Sequence, residues 1–218
     1  GYDRQGVRAA VLHSQRAKSL AEVVEALEAA LAARQGWGPA HWAASLGLSG
    51  ALDLLAGLGE DLGARDADGR TPAHAAARAG HLGALRALQR AGADLQAHDE
   101  QGGTPAHAAA GENCVGGLRA LAKLGVRLDA EDSWGGAPAH AAAANGSCGA
   151  LLWLGDLSAA HLEAHDSGGQ TPAHWAAELA QDAVLRDLAA ARADLDARDV
   201  EGRRPVDVAR AEGHSGTA

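Results

Sequence analysis

Residues 66–82 decide the fold and read Asp-Ala-Asp-Gly-Arg-Thr-Pro-Ala-His-Ala-Ala-Ala-Arg-Ala-Gly-His-Leu. The opening Asp-x-x-Gly predicts a tight turn, because Asp hydrogen-bonds its own backbone and Gly accepts positive φ. The Thr-Pro pair is typical of a helix N-cap followed by the first helical residue. Gly80 is expected to end this short Ala-rich helix. Leu85 and Leu88 then indicate a second helix over about residues 82–91.

The same unit recurs along the 218-residue chain, because every proline occupies the same place in it. A glycine lies three residues before each proline, and an aspartate lies six residues before each of the last five. One unit cannot bury its apolar face alone, whereas stacked units can, so the repeat predicts a stack. The prolines, at spacings of 33, 33, 33, 34 and 33 residues, are Pro39, Pro72, Pro105, Pro138, Pro172 and Pro205.

This unit resembles the ankyrin repeat in its turn, its Thr-Pro-Ala-His helix start and its paired leucines. The resemblance covers about residues 34–218, and the last copy, from Arg204 to His214, looks like a truncated unit. It implies an all-α fold, an ankyrin-repeat solenoid of stacked helix pairs with β-hairpin or turn fingers. Residues 35–218 are therefore expected to form the ankyrin repeat domain.

Residues 1–34 do not fit the repeat, and they predict an N-terminal helical cap. Ser19 and Glu22 have the spacing of a capping box at a helix start. The apolar residues that follow recur at helical spacing and would cover the open end of the stack. They are Leu20, Val23, Val24, Leu27 and Leu31.

Some units depart from the pattern. The slot of the turn glycine holds Asn113 in one unit, which tolerates left-handed φ, and Ala180 in another, where we expect a different turn. One unit carries an extra residue between Leu154 and His165. The adjacent glycines at 116–117 fall inside a second helix. Gly149 and Gly155 fall near the start and the end of the next second helix. Because glycine weakens a helix, we expect the array to open first around residues 111–165.

The charge balance argues against nucleic acid as a partner. The chain carries 19 Lys+Arg against 28 Asp+Glu, a formal net charge of −9, without the basic cluster that phosphate binding needs. No run of 18 apolar, uncharged residues occurs, so no membrane insertion is expected. Two cysteines without a disulfide framework indicate an intracellular protein. The cytoplasm is the favoured compartment, with an organelle or cytoskeletal location left open.

No catalytic, cofactor or metal site is expected. Equivalent residues of stacked helix pairs lie about 8–10 Å apart, too far to share one zinc ion. The spacing of Cys114 and Cys148, one repeat apart, likewise predicts no disulfide. Neither a phosphate-binding nor a dinucleotide-binding glycine motif is present. In ankyrin repeats the repeated histidine makes structural hydrogen bonds near the Thr cap, and here the histidines are His41, His74, His107, His140 and His174.

The five tryptophans divide into two groups. Trp42 and Trp175 fall inside first helices and are expected in the core, and Trp153 on a second helix is expected to be partly buried. Trp37 and Trp134 fall in the turns that become fingers. Tryptophan is a preferred anchor at protein interfaces, so these two are candidate binding residues. The alternative is that each packs against its neighbouring finger.

The favoured function is a non-enzymatic protein-protein interaction module or scaffold that binds one or more proteins through its concave face and finger tips. Two alternatives stay open: a permanent structural subunit of a large assembly, and an ankyrin adaptor segment of a longer protein. Family position implies a binding surface made of Trp37, Arg65, Arg70, Arg78, His98, Glu100, Gln101, Ser133, Trp134, His165, Gln170, Arg198 and Arg203.

Overall fold

The computed structural model describes residues 36–214, and helix pairs are stacked along this range. The predicted cap at 1–34 lies outside the described residues, so the division into a cap and a repeat domain at 35–218 stays a prediction. The helices are α1 (Pro39–Ser45), α2 (Ser49–Gly57), α3 (Pro72–Ala79), α4 (Leu82–Arg90), α5 (Pro105–Gly111), α6 (Val115–Lys123), α7 (Pro138–Ala144), α8 (Cys148–Leu157), α9 (Pro172–Glu178), α10 (Asp182–Ala190) and α11 (Pro205–Ala211).

The odd-numbered helices, which begin at the prolines, form one layer, and the longer even-numbered helices form the other. Fully buried alanines such as Ala76, Ala109 and Ala142 let neighbouring first helices approach closely. Bulkier leucines, among them Leu85 and Leu118, fill the space behind them and separate the second helices. Because the first helices pack more tightly along the stack, the array curves towards them, and they form its concave face.

A residue in the left-handed region follows each first helix. It is glycine in four units, and Asn113 takes the same conformation with φ 55°. The prediction of a different turn at Ala180 is wrong, because Ala180 also lies in this region, with φ 54°. The next N–H, that of Gln181, donates to Ala176 O at 2.8 Å, so the packed unit imposes the turn in spite of the strain.

The fingers between units are turns, and residues 36–214 contain no β-strand, so a true hairpin is not formed there. In the finger of Asp66, its N–H donates to Arg70 O at 2.9 Å and Gly69 N–H donates back to Asp66 O at 3.0 Å. Neighbouring fingers are linked by single backbone bonds, such as Glu100 N–H to Asp68 O at 3.0 Å. One such bond on each side orders the fingers into a row without making a sheet.

The glycines at 116–117 have different roles, which corrects the expectation that both weaken α6. A Cβ on Gly117 would lie 2.0 Å from the carbonyl oxygen of Ala77, so glycine is required for α6 to approach α3 this closely. A Cβ on Gly116 would meet nothing nearer than 3.9 Å. Gly117 therefore lowers the helix propensity of α6 but allows α6 and α3 to pack more tightly.

The extra residue of the fourth complete unit is absorbed after α8. A short 3-10 helix, Ala159–His161, follows α8 and returns the chain to the register of the next finger. Partly buried Trp153 packs against the core beside this insertion, as predicted. None of the helices in residues 36–214 is long and apolar enough to cross a membrane.

Candidate protein-binding groove

Each repeat histidine ties one unit to the next. The Thr71 N–H donates to Nδ1 of His74 at 3.0 Å, so the proton of this ring lies on Nε2. That Nε2 donates to the carbonyl of Gly103, in the next finger, at 3.1 Å. The predicted structural role is thereby confirmed. The same pair of bonds is made by His41, His107, His140 and His174.

Burial keeps four of the five histidine rings neutral. Burial lowers the pKa of His41, His74, His107 and His140 below the ordinary value of 6.5, and the hydrogen bonds to the carbonyls of the next fingers offset this only in part. Since both ring nitrogens are engaged, neither can bind a metal without breaking a link between units. Within residues 36–214, no group of three His, Cys, Asp or Glu could hold an ion. The thiols of Cys114 and Cys148 are free.

The finger aspartates hold the turns through one carboxylate oxygen. Oδ1 of Asp132 accepts from Trp134 N–H at 2.9 Å and from Gly136 N–H at 2.8 Å. Such a bond to two backbone amides satisfies donors that the turn would otherwise leave unpaired. The same arrangement is found at Asp66, Asp99, Asp166 and Asp199.

The second oxygen, Oδ2, is also used in three fingers. At Asp66 it accepts from Arg70 Nε at 3.0 Å and from Trp37 Nε1 at 2.9 Å. At Asp199 it accepts from Arg203 Nε at 2.9 Å, and Oδ2 of Asp166 accepts from a tryptophan of α9. Burial acts to raise the pKa of Asp66 and Asp199, but the donated hydrogen bonds outweigh it, so each pKa lies below its ordinary value.

The two finger tryptophans have different surroundings. Trp37 is half-buried: besides its bond to Asp66, it stacks on His41 and meets Trp42 edge-on at a centroid distance of 4.9 Å. It therefore packs between α1 and the neighbouring finger of Asp66, which was the alternative to a binding role. Trp134 instead is 54% exposed.

The two tryptophans of the first helices also differ. Trp42 is buried, as predicted for the core. Trp175 is only partly buried, which corrects the core prediction: its Nε1 donates to Asp166 Oδ2 at 2.8 Å and its ring meets His140 edge-on at 5.3 Å. In the units between them the same position holds alanine, so Trp175 forms a wall at one side of an open surface.

That surface is a groove of about 430 Å³ on the concave face. Its lining runs from Arg78 on α3 to Trp175 on α9 and so crosses the middle of the array. The floor consists of small residues of α5 and α7, including Ala108 and Ala141. Trp134 lines the groove from its finger.

The groove brings together only some of the residues predicted from the sequence. Those that line it are Arg70, Arg78, Gln101 and Trp134. Others hold fingers in shape: Arg65 donates to Gly69 O at 2.8 Å, and Arg198 donates to Gly202 O at 2.6 Å. A similar bond joins the His98 ring to Gly102 O at 2.6 Å.

The remaining predicted residues lie on fingers outside the groove lining. Glu100, Ser133 and His165 are exposed there, Gln170 is partly buried, and Arg203 is paired with Asp199. Trp37 packs as described above. These residues and the four that line the groove remain a predicted binding surface.

Sequence reasoning missed Asp99, Asp132 and Trp175, all of which line the groove. The sequence pattern marks these aspartates only as turn residues, although each has a second carboxylate oxygen. The helical position of Trp175 predicts a core residue. The sequence does contain a signal for the two aspartates. Each is followed four residues later by a glycine, Gly103 or Gly136, where the other fingers have a long side chain.

Short helix pairs stacked in one direction, joined by turn fingers, define a helical repeat solenoid with an open concave face. The family model for ankyrin repeats, in three copies, matches residues 40–132. The same helix-pair unit continues to residue 214, so the match and the repeat together support an ankyrin repeat family for this array. Ankyrin repeats are generally protein-protein interaction modules, and the family is typically non-enzymatic. A search of curated proteins finds no match to this chain.

Proposed function

We propose that this chain is a non-enzymatic protein-binding module whose partner lies in the groove between α3 and α9. The partner would contact the first-helix layer and the tips of the fingers. The two alternatives drawn from the sequence, a permanent subunit and an adaptor segment, would use the same surface. They differ from this proposal in how long the contact lasts and what else the polypeptide carries.

One observation carries the proposal: Trp134 exposes about half of its side chain above a floor of alanines. Its backbone N–H serves the turn through Asp132, but no folding role is evident for the exposed indole. An exposed tryptophan beside a concave, small-residue floor has the character of an interface anchor, since a partner would bury its large apolar area.

Affinity capture with the intact chain tests the proposal. The bait would be compared with Trp134→Ala and with Leu157→Ala, which truncates a similarly exposed apolar side chain (53%) on α8, outside the groove. We expect proteins identified by mass spectrometry to be lost with Trp134→Ala and retained with Leu157→Ala. Thermal melting of all three baits confirms that they are folded.

Two results would contradict the proposal. The captured proteins could be unaffected by Trp134→Ala, which would place the interface elsewhere on the array. They could also be lost equally with both variants, which would indicate non-specific apolar adhesion. A native-mass measurement on endogenous material then separates an exchangeable partner from a permanent assembly.

A further inference from the structure

The five finger aspartates differ in whether Oδ2 has a hydrogen-bond donor. In three fingers it accepts from an arginine or tryptophan side chain. In the two middle fingers, Oδ2 of Asp99 and Oδ2 of Asp132 have no donor among residues 36–214. Their Oδ1 atoms still make the usual two bonds, so these turns form in the same way as the others.

The difference has a simple cause in the sequence. The residue two positions before proline is Arg70 in the finger of Asp66 and Arg203 in the finger of Asp199. Each of these arginines folds back onto the aspartate of its own finger. The middle fingers have Gly103 and Gly136 at this position, and glycine has no side chain to donate.

Both open carboxylates line the groove. A Cβ placed on Gly136 would lie 3.1 Å from Oδ2 of Asp132 and 3.2 Å from Cη2 of Trp175. The carboxylate oxygen and the indole edge therefore flank the same small space, and Trp134 lines the groove from the same finger as Asp132. Above Gly103, a Cβ would likewise lie 3.1 Å from Oδ2 of Asp99.

The other charges of the groove are already paired. Arg70 forms ion pairs with the carboxylates of its own finger, and Arg78 forms one with Glu112. This leaves Asp99 and Asp132 as the carboxylates of the lining without an ion-pair partner among residues 36–214. The groove thus combines two unpaired negative charges with two aromatic side chains.

We propose that this groove binds arginine side chains of the partner, whose guanidinium N–H groups donate to Oδ2 of Asp99 and of Asp132. The proposal rests on the protein-binding function above and specifies its chemistry. The partner's arginine takes the place that Arg70 and Arg203 occupy within their own fingers. Near Asp132, the indoles of Trp134 and Trp175 add a cation–π contribution.

Arginine fits these acceptors better than lysine for a reason visible in the molecule itself. Every donor bound to a finger Oδ2 in residues 36–214 is a planar N–H, from either an arginine guanidinium or a tryptophan indole. A guanidinium presents several such donors in one plane and stacks on indole faces, whereas an ammonium is a more strongly hydrated point charge.

Titration of the intact, isotopically labelled chain by NMR tests the proposal. The probe is N-acetyl-arginine N-methylamide, and the uncharged citrulline analogue is its control. The lysine analogue is titrated separately, to compare an ammonium with a guanidinium. The backbone amides of Gln101, Gly103, Trp134 and Gly136 report directly, because they donate to Oδ1 of the same carboxylates. We expect these amides to shift with the arginine probe and not with the citrulline probe.

Three variants locate the effect, and a fourth serves as the control. Asp99→Asn and Asp132→Asn keep an oxygen acceptor for the turn but remove the charge, and each is expected to weaken arginine binding at its own finger about tenfold. Gly103→Arg supplies the guanidinium within the chain and is expected to abolish the shifts around Asp99 alone. Asp199→Asn, outside the groove, removes a carboxylate of the same kind and should leave binding unchanged.

Equal shifts with arginine and citrulline, unchanged shifts in both groove Asn variants, or no shift at millimolar arginine would overturn the inference. A stronger response to lysine would overturn the choice of arginine. None of these results touches the capture experiment with Trp134→Ala. If captured proteins still depend on Trp134, the module binds proteins by another chemistry. If that dependence is absent, the proposed function itself fails.

Discussion

The outer fingers at Asp66 and Asp199 are closed by their own arginines, whereas the middle fingers at Asp99 and Asp132 leave the same carboxylate oxygen open. The backbone turn is nevertheless the same in all of them. One oxygen is therefore sufficient to shape the finger, and the second is available either for stability or for a ligand.

The middle of the array also differs behind the fingers. The second helix there has Gly117 where the preceding unit has Ala84, and α6 approaches Ala77 O more closely than a Cβ would allow. Composition alone cannot tell a weak helix from a tightly packed one. The contact geometry decides, because only at Gly117 would an added methyl group meet backbone at 2.0 Å.

The largest expected effect concerns this helix pair. Gly117→Ala forces a Cβ against the carbonyl of Ala77, so α6 must move outward, and we expect a loss of about 3 kcal/mol of unfolding free energy. Gly116→Ala is the matched control, since its Cβ has room, and it should gain about 0.8 kcal/mol from helix propensity. Chemical denaturation measures both. Stabilisation by both substitutions would mean that the glycines merely weaken α6.

The next effect compares the two kinds of finger directly. Asp66→Ala removes two backbone bonds and the bonds to Arg70 and Trp37, and we expect a loss of about 2–3 kcal/mol. Asp99→Ala removes only the two backbone bonds, with an expected loss of about 1–1.5 kcal/mol. Equal losses, measured by denaturation, would show that the Oδ2 contacts add nothing to stability.

A third comparison separates the two finger tryptophans. Trp37→Ala removes a half-buried ring that packs on His41 and bonds to Asp66, and we expect it to cost about 2 kcal/mol of unfolding free energy. Trp134→Ala should change stability by less than about 0.5 kcal/mol. Loss of stability in the Trp134 variant would indicate that Trp134 is a packing residue, and it would contradict its proposed role as an interface anchor.

Acidification tests the histidine links, which outer and middle fingers share. Burial lowers the pKa of His41, His74, His107 and His140, so near pH 6 the unfolded chain binds more protons than the folded one. Stability should therefore fall as pH drops below about 6.5 and be independent of these groups above it. Protonation would place a hydrogen on Nδ1 facing a backbone N–H.

The pH effect is measured by denaturation between pH 7.5 and 5.5, above the range in which carboxylates titrate. The matched variant is His107→Asn, which cannot titrate and should show a shallower pH dependence than the parent chain. A flat profile for the parent would mean that the buried rings tolerate the added proton.

The fold was predictable because each level of the repeat agrees with the others. Proline at the helix start, a turn residue after the first helix and paired leucines leave one stacking arrangement. The errors arose where a contact between units overrides a local rule. At Ala180 the packed unit imposes a left-handed φ, and at Gly117 a neighbouring carbonyl lies close to the helix.

The site was harder to predict because sequence position does not reveal which side of a finger a residue occupies. Trp37 lies two residues before its proline and Trp134 lies four before, and this offset separates packing from exposure. The sequence does not predict the open oxygens of Asp99 and Asp132, because they result from the lack of a donor side chain at Gly103 and Gly136 and not from a recognisable motif. Only the side-chain contacts of the folded fingers distinguish these open oxygens from the occupied oxygens of Asp66 and Asp199.

The smallest effect comes from exchanging the two kinds of finger. Gly103 does not have a left-handed φ, and Arg70 occupies the equivalent position of its own finger. The Cβ of Gly103→Arg would lie 3.1 Å from Oδ2 of Asp99, so this carboxylate must shift by a few tenths of an ångström to accommodate it. The variant gains a partly exposed ion pair and restricts the unfolded chain, which together predict about 0.5 kcal/mol of added stability. The reverse exchange, Arg203→Gly, should lower stability. Denaturation of the two variants and the parent tests this, with arginine titration alongside. The Gly103→Arg variant should be more stable and bind less arginine. Its own guanidinium would then donate to Oδ2 of Asp99, the oxygen that the parent chain leaves open for a partner.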